Sequence, residues 1–289
     1  MSRLLSRAAL ALAAAVFVLY PAPAKATQIE RVVSPGGIEA WLVEDHLNPI
    51  ISLHLAFRGG SALDPEGKEG LANMVSTLLD EGAGDLDSKA FQQTLEDKSI
   101  TLRFSAARDS FGARVQVLTE YRDLAFDLLR QAMTKPRFDA EPVSRLRAQL
   151  LANLRHESQD ADAIAGKTLM KTLYPDHPYG RPTGGTLESV AAIQVADMRA
   201  FVKERLALDT LSIGVVGDIT AKELAPLLDK TFGALPAKAA PWKVAEVAPK
   251  VSGRTIVIEK PLKQSNILFA DRGLMRKDPD FYTAYVMNH

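Results

Sequence analysis

The spacing of the apolar residues changes within residues 51–79, and this change constrains the fold more than any other feature of the chain. Between Ile51 and Phe57, apolar residues alternate with small or polar ones, which is the pattern of a half-buried strand. A loop rich in glycine, proline and aspartate follows. From Gly70 onward the apolar residues recur at helical spacing, at positions 71, 74, 75, 78 and 79. The sequence therefore predicts a strand, a loop and an amphipathic helix that is ended by Gly82 and Gly84.

The remainder of residues 27–234 repeats this mixture of strands and helices. Further strands are predicted at 38–43 and 211–216, and a hairpin at 101–107 and 112–118 turns around Asp109. Helices are predicted at 121–133, 141–156, 195–206 and 221–232. A loop dense in turn-forming residues, from Asp176 to Pro182, separates the second helix from the third.

Residues 235–250 are rich in proline and alanine and are predicted to be a linker. Beyond it we expect strands at 255–258 and 266–269 and a helix that begins near Pro279. Because only about 40 residues follow the linker, too few to close a core of this type, residues 251–289 are interpreted as the start of an incomplete second domain. The predicted organisation is thus a signal peptide (1–26), a first domain (27–234), the linker (235–250) and this partial domain.

The first 26 residues have the pattern of a secretory signal peptide. Arg3 and Arg7 precede an unbroken apolar run of 13 residues from Ala8 to Tyr20, and small residues at positions 24 and 26 favour cleavage after Ala26. A membrane anchor is the alternative, but a membrane span needs about 20 apolar residues. We therefore expect an exported protein, periplasmic in a bacterium, that is not held in the membrane after cleavage.

Composition excludes several classes of function. Lysine plus arginine (35) equals aspartate plus glutamate (35), so the overall charge gives no reason to expect nucleic acid as a partner. The chain contains no cysteine, which excludes disulfides, cysteine nucleophiles and thiolate metal sites. The five histidines, at positions 46, 54, 156, 177 and 289, include no pair spaced three or four residues apart.

One stretch resembles a known family. The strand at 51–57, the loop at 59–69 and the run Gly70-Leu71-Ala72 are similar to the opening of the insulinase/pitrilysin zinc peptidases, the inverzincins, which include the mitochondrial processing peptidases. Weaker similarities lie in the loops at 177–180 and 184–186, the segment 215–219 and the segment 276–281. Their order and spacing agree with the family, so the resemblance covers nearly the whole chain after residue 26.

The resemblance implies a metal site whose residues are replaced in this chain. In the family, Gly-Leu-Ala is followed on a helix by H-x-x-E-H, whose two histidines share a zinc ion while the glutamate takes a proton from zinc-bound water. These three positions correspond to Asn73, Ser76 and Thr77. The family's third ligand, a glutamate on a later helix, corresponds to Ala152 or Asn153. An amide and two hydroxyls are poor zinc ligands, and serine is no base near neutral pH.

By this resemblance the fold class is α+β, with helices packed on one face of a mainly antiparallel sheet. The expected function is that of a non-catalytic subunit that forms a peptide-binding chamber with an active H-x-x-E-H homologue. Zinc is expected in the active partner and no cofactor in this chain. Two alternatives stay open: a stand-alone periplasmic peptide-binding protein, and an enzyme whose active site has been relocated.

Overall fold

The computed structural model describes residues 27–288, and its centre is a six-stranded sheet. The strands are β1 (Glu30–Val33), β2 (Glu39–Glu44), β3 (Ile50–Arg58), β4 (Thr101–Ala106), β5 (Ser110–Leu118) and β6 (Leu211–Gly217). Their order in the sheet is β1-β2-β6-β3-β5-β4. Every neighbouring pair is antiparallel except β2 and β6, which run parallel. The sheet is therefore mainly antiparallel, and its inner strand β6 comes from late in the chain.

Helices form between and after the strands, and several of them supply the second layer of the fold. They are α1 (Leu71–Ser76), α2 (Ser88–Asp97), α3 (Arg122–Thr134), α4 (Ala140–Glu157), α5 (Ala161–Leu173), α6 (Leu187–Ala192), α7 (Val195–Arg205), α8 (Ala221–Phe232) and α9 (Phe281–Met287). The predicted hairpin and the four predicted helices after residue 120 are confirmed within one or two residues at each end. The sequence analysis missed β1, α2, α5 and α6, of which α2 and α5 are capped by the aspartate that precedes each of them.

The helices cover one face of the sheet only. On β3, the side chains of Ile51, Leu53, Leu55 and Phe57 are at most 5% exposed, whereas His54 on the opposite face is exposed. Helices α1, α3 and α8 contact the sheet and contribute to the same hydrophobic core as the buried strand residues. This arrangement confirms the predicted α+β class, with helices on one face of a mainly antiparallel sheet.

Aromatic side chains from both layers fill the core. Five phenylalanines are at most 2% exposed, at positions 57, 91, 111, 126 and 232. Burying one such side chain stabilises a fold by about 1.5–3 kcal/mol. Since the chain has no cysteine, its stability depends on this apolar burial and not on disulfides.

The first helix is shorter than predicted. Helix α1 ends at Ser76, and residues 77–80 continue as turns instead of reaching Gly82 as one helix. The amide of Leu78 bonds to the carbonyl of Val75, three residues earlier, which is the tighter pattern that ends α-helices. The apolar spacing of the sequence does not reveal this change. Residues 78 and 79 are buried in the observed turns, as they would be in a continued α-helix.

The two strands predicted after the linker are absent. Residues 255–258 and 266–269 lie outside the sheet, and Val257, Ile267 and Phe269 are 78%, 82% and 92% exposed. A strand needs a neighbour for its backbone groups, and no strand of the described residues pairs with either segment. The predicted final helix is present as α9, beginning at Phe281.

A buried carboxylate holds the beginning of α1. Asp64, which is 3% exposed, accepts hydrogen bonds from the backbone amides of Gly70 at 2.9 Å and Ala72 at 3.0 Å. Gly70 has a φ of +92°, and a Cβ on it would lie 2.6 Å from the carbonyl oxygen of Gly184, so only glycine fits there. Burial raises the pKa of Asp64 to about 7, although the two amides and Arg181 oppose this shift.

We predict that Asp64 gives the stability of the fold a measurable pH dependence. Its pKa is raised from the ordinary 3.8 to about 7, so between these values the folded chain binds a proton that the unfolded chain has lost. Raising the pH through this window therefore lowers the free energy of unfolding. In Asp64→Asn this decrease should be smaller. Urea unfolding at several pH values measures it.

The matched control for this prediction is Asp97→Asn, which removes an exposed carboxylate at the end of α2. Its pH dependence should equal that of the unchanged chain. If the free energy of unfolding changes with pH equally in Asp64→Asn and in the unchanged chain, the Asp64 carboxyl is ionised in the folded chain throughout the window.

Candidate functional site

The candidate site lies on α1 and at its end, at the positions that the resemblance assigns to the family's zinc motif. Asn73 and Thr77 are half-buried, whereas Ser76 is only 5% exposed. Asp80, which the sequence places on the same polar side, is 7% exposed. An amphipathic helix normally keeps its polar residues exposed, and Ser76 and Asp80 depart from that pattern. The reason is that α1 has neighbours on several sides, since it contacts β4, α4 and α7.

The two hydroxyl groups of the site bond to their own helix. Ser76 donates to the carbonyl oxygen of Asn73 at 2.8 Å, and Thr77 donates to that of Met74 at 2.9 Å. A hydrogen bond of this kind, to a carbonyl three or four residues earlier, gives a serine or threonine hydroxyl an acceptor within its own helix. The side-chain amide of Asn73 makes no such bond within the helix. Neither an amide nor a hydroxyl is a good zinc ligand.

Asp80, the acidic residue that follows the motif positions in the sequence, forms contacts with other elements of the fold. Asp80 follows Ser76 by four residues and accepts a hydrogen bond from Arg103 of β4 at 3.1 Å. Burial raises the pKa of Asp80, and the guanidinium of Arg103 opposes that shift. The backbone carbonyl of Asp80 also accepts the side-chain amide of Gln92 at 2.8 Å. Asp80 thus links α1 to the edge strand and to α2.

The region of the predicted third ligand lies on α4, which contacts α1. Ala152 and Asn153 are exposed, and Glu157, one turn further on, pairs with Lys167 at 2.7 Å. An ion pair between Arg145 of α4 and Glu81 at 2.7 Å holds this helix beside the end of the α1 region. Alanine provides no donor atom, so this region does not supply the family's glutamate.

Zinc does not fit these residues. Within residues 27–288, no group of three or more histidine, aspartate or glutamate side chains is arranged to hold a metal ion. Zinc sites in proteins use three or four ligands of these types or cysteine. We therefore derive no metal-dependent step for this chain.

The histidines are engaged in separate places. His46 bonds to Asp218 at 2.7 Å, and this contact raises the pKa of the imidazole. His54 is exposed on β3 and His156 is exposed near the end of α4, as the sequence suggests. His177 lies in the loop before α6, and His289 is outside the described residues.

A cluster that sequence reasoning did not treat as a site joins three distant segments. Tyr179 donates from its hydroxyl to Asp109 at the tip of the β4–β5 hairpin, at 2.8 Å, and Arg108 donates to the carbonyl of Tyr179 at 2.5 Å. Burial, together with Asp109, raises the pKa of Tyr179 to about 12. The ring of His177 bonds to the carbonyl of Ala245 at 2.9 Å, which ties the linker to the same place. A cleft of about 250 Å³ lies here.

A larger cleft of about 690 Å³ lies beyond the end of α3, away from the motif, and its basic lining residues are Arg130, Lys135, Arg137 and Arg199. Arg137 pairs with Asp139 at 2.6 Å, and Arg199 donates to the carbonyl of Arg137 at 3.0 Å. Arg130 pairs with Asp127 at 2.6 Å. Three of the four cations therefore already have acceptors within the protein.

Comparison with protein families gives matches over most of the chain. Residues 40–187 match the model described as insulinase (Peptidase family M16), and residues 192–289 match that of the Peptidase M16 inactive domain. The chain is 30% identical over 227 residues to the "Non-peptidase homolog YmxG" of Helicobacter pylori, which covers 78% of this chain and 52% of that protein. It is 25% identical to a probable mitochondrial-processing peptidase subunit beta of Schizosaccharomyces pombe, over 79% of this chain and 51% of that protein. The chain thus spans about half the length of these relatives.

Solved structures have the same fold. The crystal structure of a peptidase M16 inactive domain from Pseudomonas fluorescens superposes with a TM-score of 0.72 at 28% identity, over 77% of this chain and 55% of that one. The periplasmic protease PqqL from Escherichia coli superposes with a TM-score of 0.67 at 19% identity, over 78% of this chain and 26% of that one. Together with the family match over residues 40–187, which is half of the sequence, these similarities show that the chain belongs to the insulinase family of peptidases, Peptidase family M16.

Proposed function

We propose that this chain is a non-catalytic subunit of an exported zinc metallopeptidase and forms part of a peptide-binding chamber together with an active H-x-x-E-H homologue. The observation that carries the proposal is the state of Ser76 and Thr77, at the positions where the family has its glutamate and second histidine. Both hydroxyls bond back to the carbonyls of their own helix. A serine or threonine hydroxyl is too weak a base to take a proton from water near neutral pH, and it is a poor zinc ligand.

The assignment of Asn73, Ser76 and Thr77 to the motif rests on the family resemblance and on their place in α1 after Gly70-Leu71-Ala72. A relative with 30% identity carries the name of a non-peptidase homologue, which supports a role without proteolysis. In this proposal zinc is bound by the partner. This chain forms one side of the peptide-binding chamber and contributes no zinc ligand.

A stand-alone peptide-binding protein is the alternative. One observation favours it, because the sheet face opposite the helices is uncovered within the described residues and is accessible without a partner. The two proposals differ in what co-purifies with the chain from its native source. A stable complex with an H-x-x-E-H homologue supports the subunit, whereas a monomer that binds peptides supports the alternative.

We also propose export. Residues 1–26, which lie outside the described residues, carry the signal-peptide pattern, and a periplasmic protease has the same fold. Within residues 27–288, no helix is long and apolar enough to cross a bilayer. Cell fractionation together with N-terminal sequencing of the purified protein tests this proposal, and the expected first residue is Thr27.

We predict that the purified chain does not cleave unstructured peptides, and that adding its active homologue produces cleavage that a chelator abolishes. The physical reason is the missing general base at position 76. Cleavage is followed with a quenched fluorescent peptide. In the control, the motif glutamate of the homologue is replaced by glutamine, and the mixture should then be inactive. Activity in that control, or in the isolated chain free of contaminating proteases, would overturn the non-catalytic role.

We further predict that zinc binding can be restored. Asn73→His and Thr77→His change half-buried positions, and Ala152→Glu or Asn153→Glu adds a carboxylate at an exposed position of α4. With three ligands, zinc should bind at least about tenfold more tightly than with two. Titration calorimetry measures the affinity. Ser76→Glu is left out because a carboxylate buried there without a partner should destabilise the fold by about 2 kcal/mol or more.

The matched control is Asn73→His with Thr77→His alone, without either glutamate. This pair provides the same two histidines but no third ligand. If both glutamate versions bind zinc no better than the control, α1 and α4 do not correspond to the two ligand helices of the family.

A further inference from the structure

The uncovered face of the sheet carries one continuous row of residues from edge to edge. We call this side the open face and define it by a row of directly paired residues, one on each strand: Arg31, Trp41, Gly214, His54, Arg114 and Arg103. Because facing residues of neighbouring strands point to the same side, these six belong to one surface. Val216 lies on the same side, two residues beyond Gly214 on β6.

The row is accessible. Trp41 is 57% exposed and Val216 is 48% exposed, although both are large apolar residues. The side chain of Arg103 is 67% exposed, and His54 and Arg114 are exposed as well. Exposed apolar residues that adjoin one another on a folded surface commonly mark a binding site.

One end of the row concentrates positive charge. Arg103 and Arg114 face each other directly on β4 and β5. Like charges in this position destabilise a sheet. Arg103 has a partner in Asp80, but within residues 27–288 no carboxylate pairs with Arg114, whose guanidinium contacts the side-chain oxygen of Gln116 at 3.4 Å. An anionic group bound between the two arginines would offset their repulsion.

Towards the other end, where Arg31 is already paired with Glu39, the row contains the apolar Trp41 and a position without a side chain. Gly214 lies between Trp41 and His54, and a Cβ placed on it would meet nothing within 4 Å. We call the open space over Gly214, next to Trp41 in the row, the depression; Val216 lies two residues further along the same strand. A side chain from another molecule can enter this depression and bury the exposed face of Trp41.

The distance between the two ends defines the size of the occupant. Strands in a sheet are about 4.8 Å apart, so the four steps from β2 to β4 span about 19 Å. An extended peptide advances about 3.4 Å per residue, and about six residues would therefore reach from Trp41 to Arg103.

From the row we infer that the open face binds an acidic polypeptide segment of about six extended residues, with an apolar side chain at the depression beside Trp41 and carboxylates at Arg114 and Arg103. The inference deepens the proposed function, on which it rests, by naming the chemical class of peptide that this wall of the chamber selects. The overall charge of the chain is zero, so the selection comes from the local arrangement of charges on this face.

Tryptophan fluorescence can report occupancy directly, because the chain has two tryptophans and one of them lies in the linker. In Trp242→Phe, Trp41 is the only tryptophan left in the sequence. A peptide of leucine, serine and glutamate, free of aromatic residues, should shift the emission of Trp41 to shorter wavelength as the indole leaves water. The same peptide with lysine in place of glutamate should bind at least about fivefold more weakly. Rising salt should weaken the binding of the acidic peptide.

Matched variants test the basic end. Arg114→Gln, made in the Trp242→Phe background, should weaken binding of the acidic peptide by about two- to fivefold, the size of one exposed ion pair. Arg155→Gln, at an exposed position of α4 on the helical layer, should leave the affinity unchanged. Arg103→Gln also removes the pair with Asp80, so its unfolding is measured alongside binding. Equal loss in Arg114→Gln and Arg155→Gln would overturn the assignment to this face.

The outcomes separate this inference from the proposed function. Equal binding of the acidic and basic peptides, or no change in Trp41 emission with either, overturns the inference whether or not the chain supports cleavage by an active homologue. A shift that appears on concentrating the chain alone, together with dimers in sedimentation, assigns the face to a second copy and also overturns it. Selective binding of the acidic peptide supports the inference even if the cleavage assay fails, and the proposed subunit role alone would then be wrong.

Discussion

The pairing of β6 with both β2 and β3 is the contact on which the rest of the fold depends. Strand β6 is parallel to β2 and antiparallel to β3, so it joins the β1–β2 ribbon to the β3–β5–β4 group. More than 150 residues separate β3 from β6 along the chain, and the helices α1 to α7 lie between them. Closing so long a loop costs conformational entropy before the contact is formed. The burial of Ile213 and Val215 against the helical layer, together with two ladders of backbone hydrogen bonds, offsets that cost.

The two faces of the sheet are used differently. The covered face is a continuous apolar core, and it carries the stability of a chain that has no disulfides. The open face carries arginines, a histidine and an exposed tryptophan, which add little to stability where they lie. Because successive residues of a strand point to opposite sides, binding residues can change on one face without disturbing the core on the other.

Helix α1 is held at both ends by hydrogen bonds and ion pairs within the protein. Ser76 and Thr77 are small, and their hydroxyls donate hydrogen bonds to backbone carbonyls of the preceding turn. Asp80 and Glu81 at the end of this region bond to Arg103 and Arg145, which keeps α1 joined to the edge strand and to α4. At the other end Asp64 caps the helix with two hydrogen bonds. Helix α1 is therefore held by contacts that do not require a metal ion.

The sequence by itself determined the elements whose pattern is local. The alternation at 51–57 predicts β3, and the helical spacing after residue 120 predicts α3, α4, α7 and α8. Only the tertiary structure decided which polar residues are buried. Ser76 and Asp80 are buried because neighbouring elements, among them β4, α4 and α7, pack around the α1 region. The tertiary structure also decided that the apolar segments 255–258 and 266–269 are not strands, since a strand exists only where another strand meets its backbone groups. The spacing of apolar residues shows which residues of a segment are suited to burial. The elements that bury them come from distant parts of the chain and are not visible in that spacing.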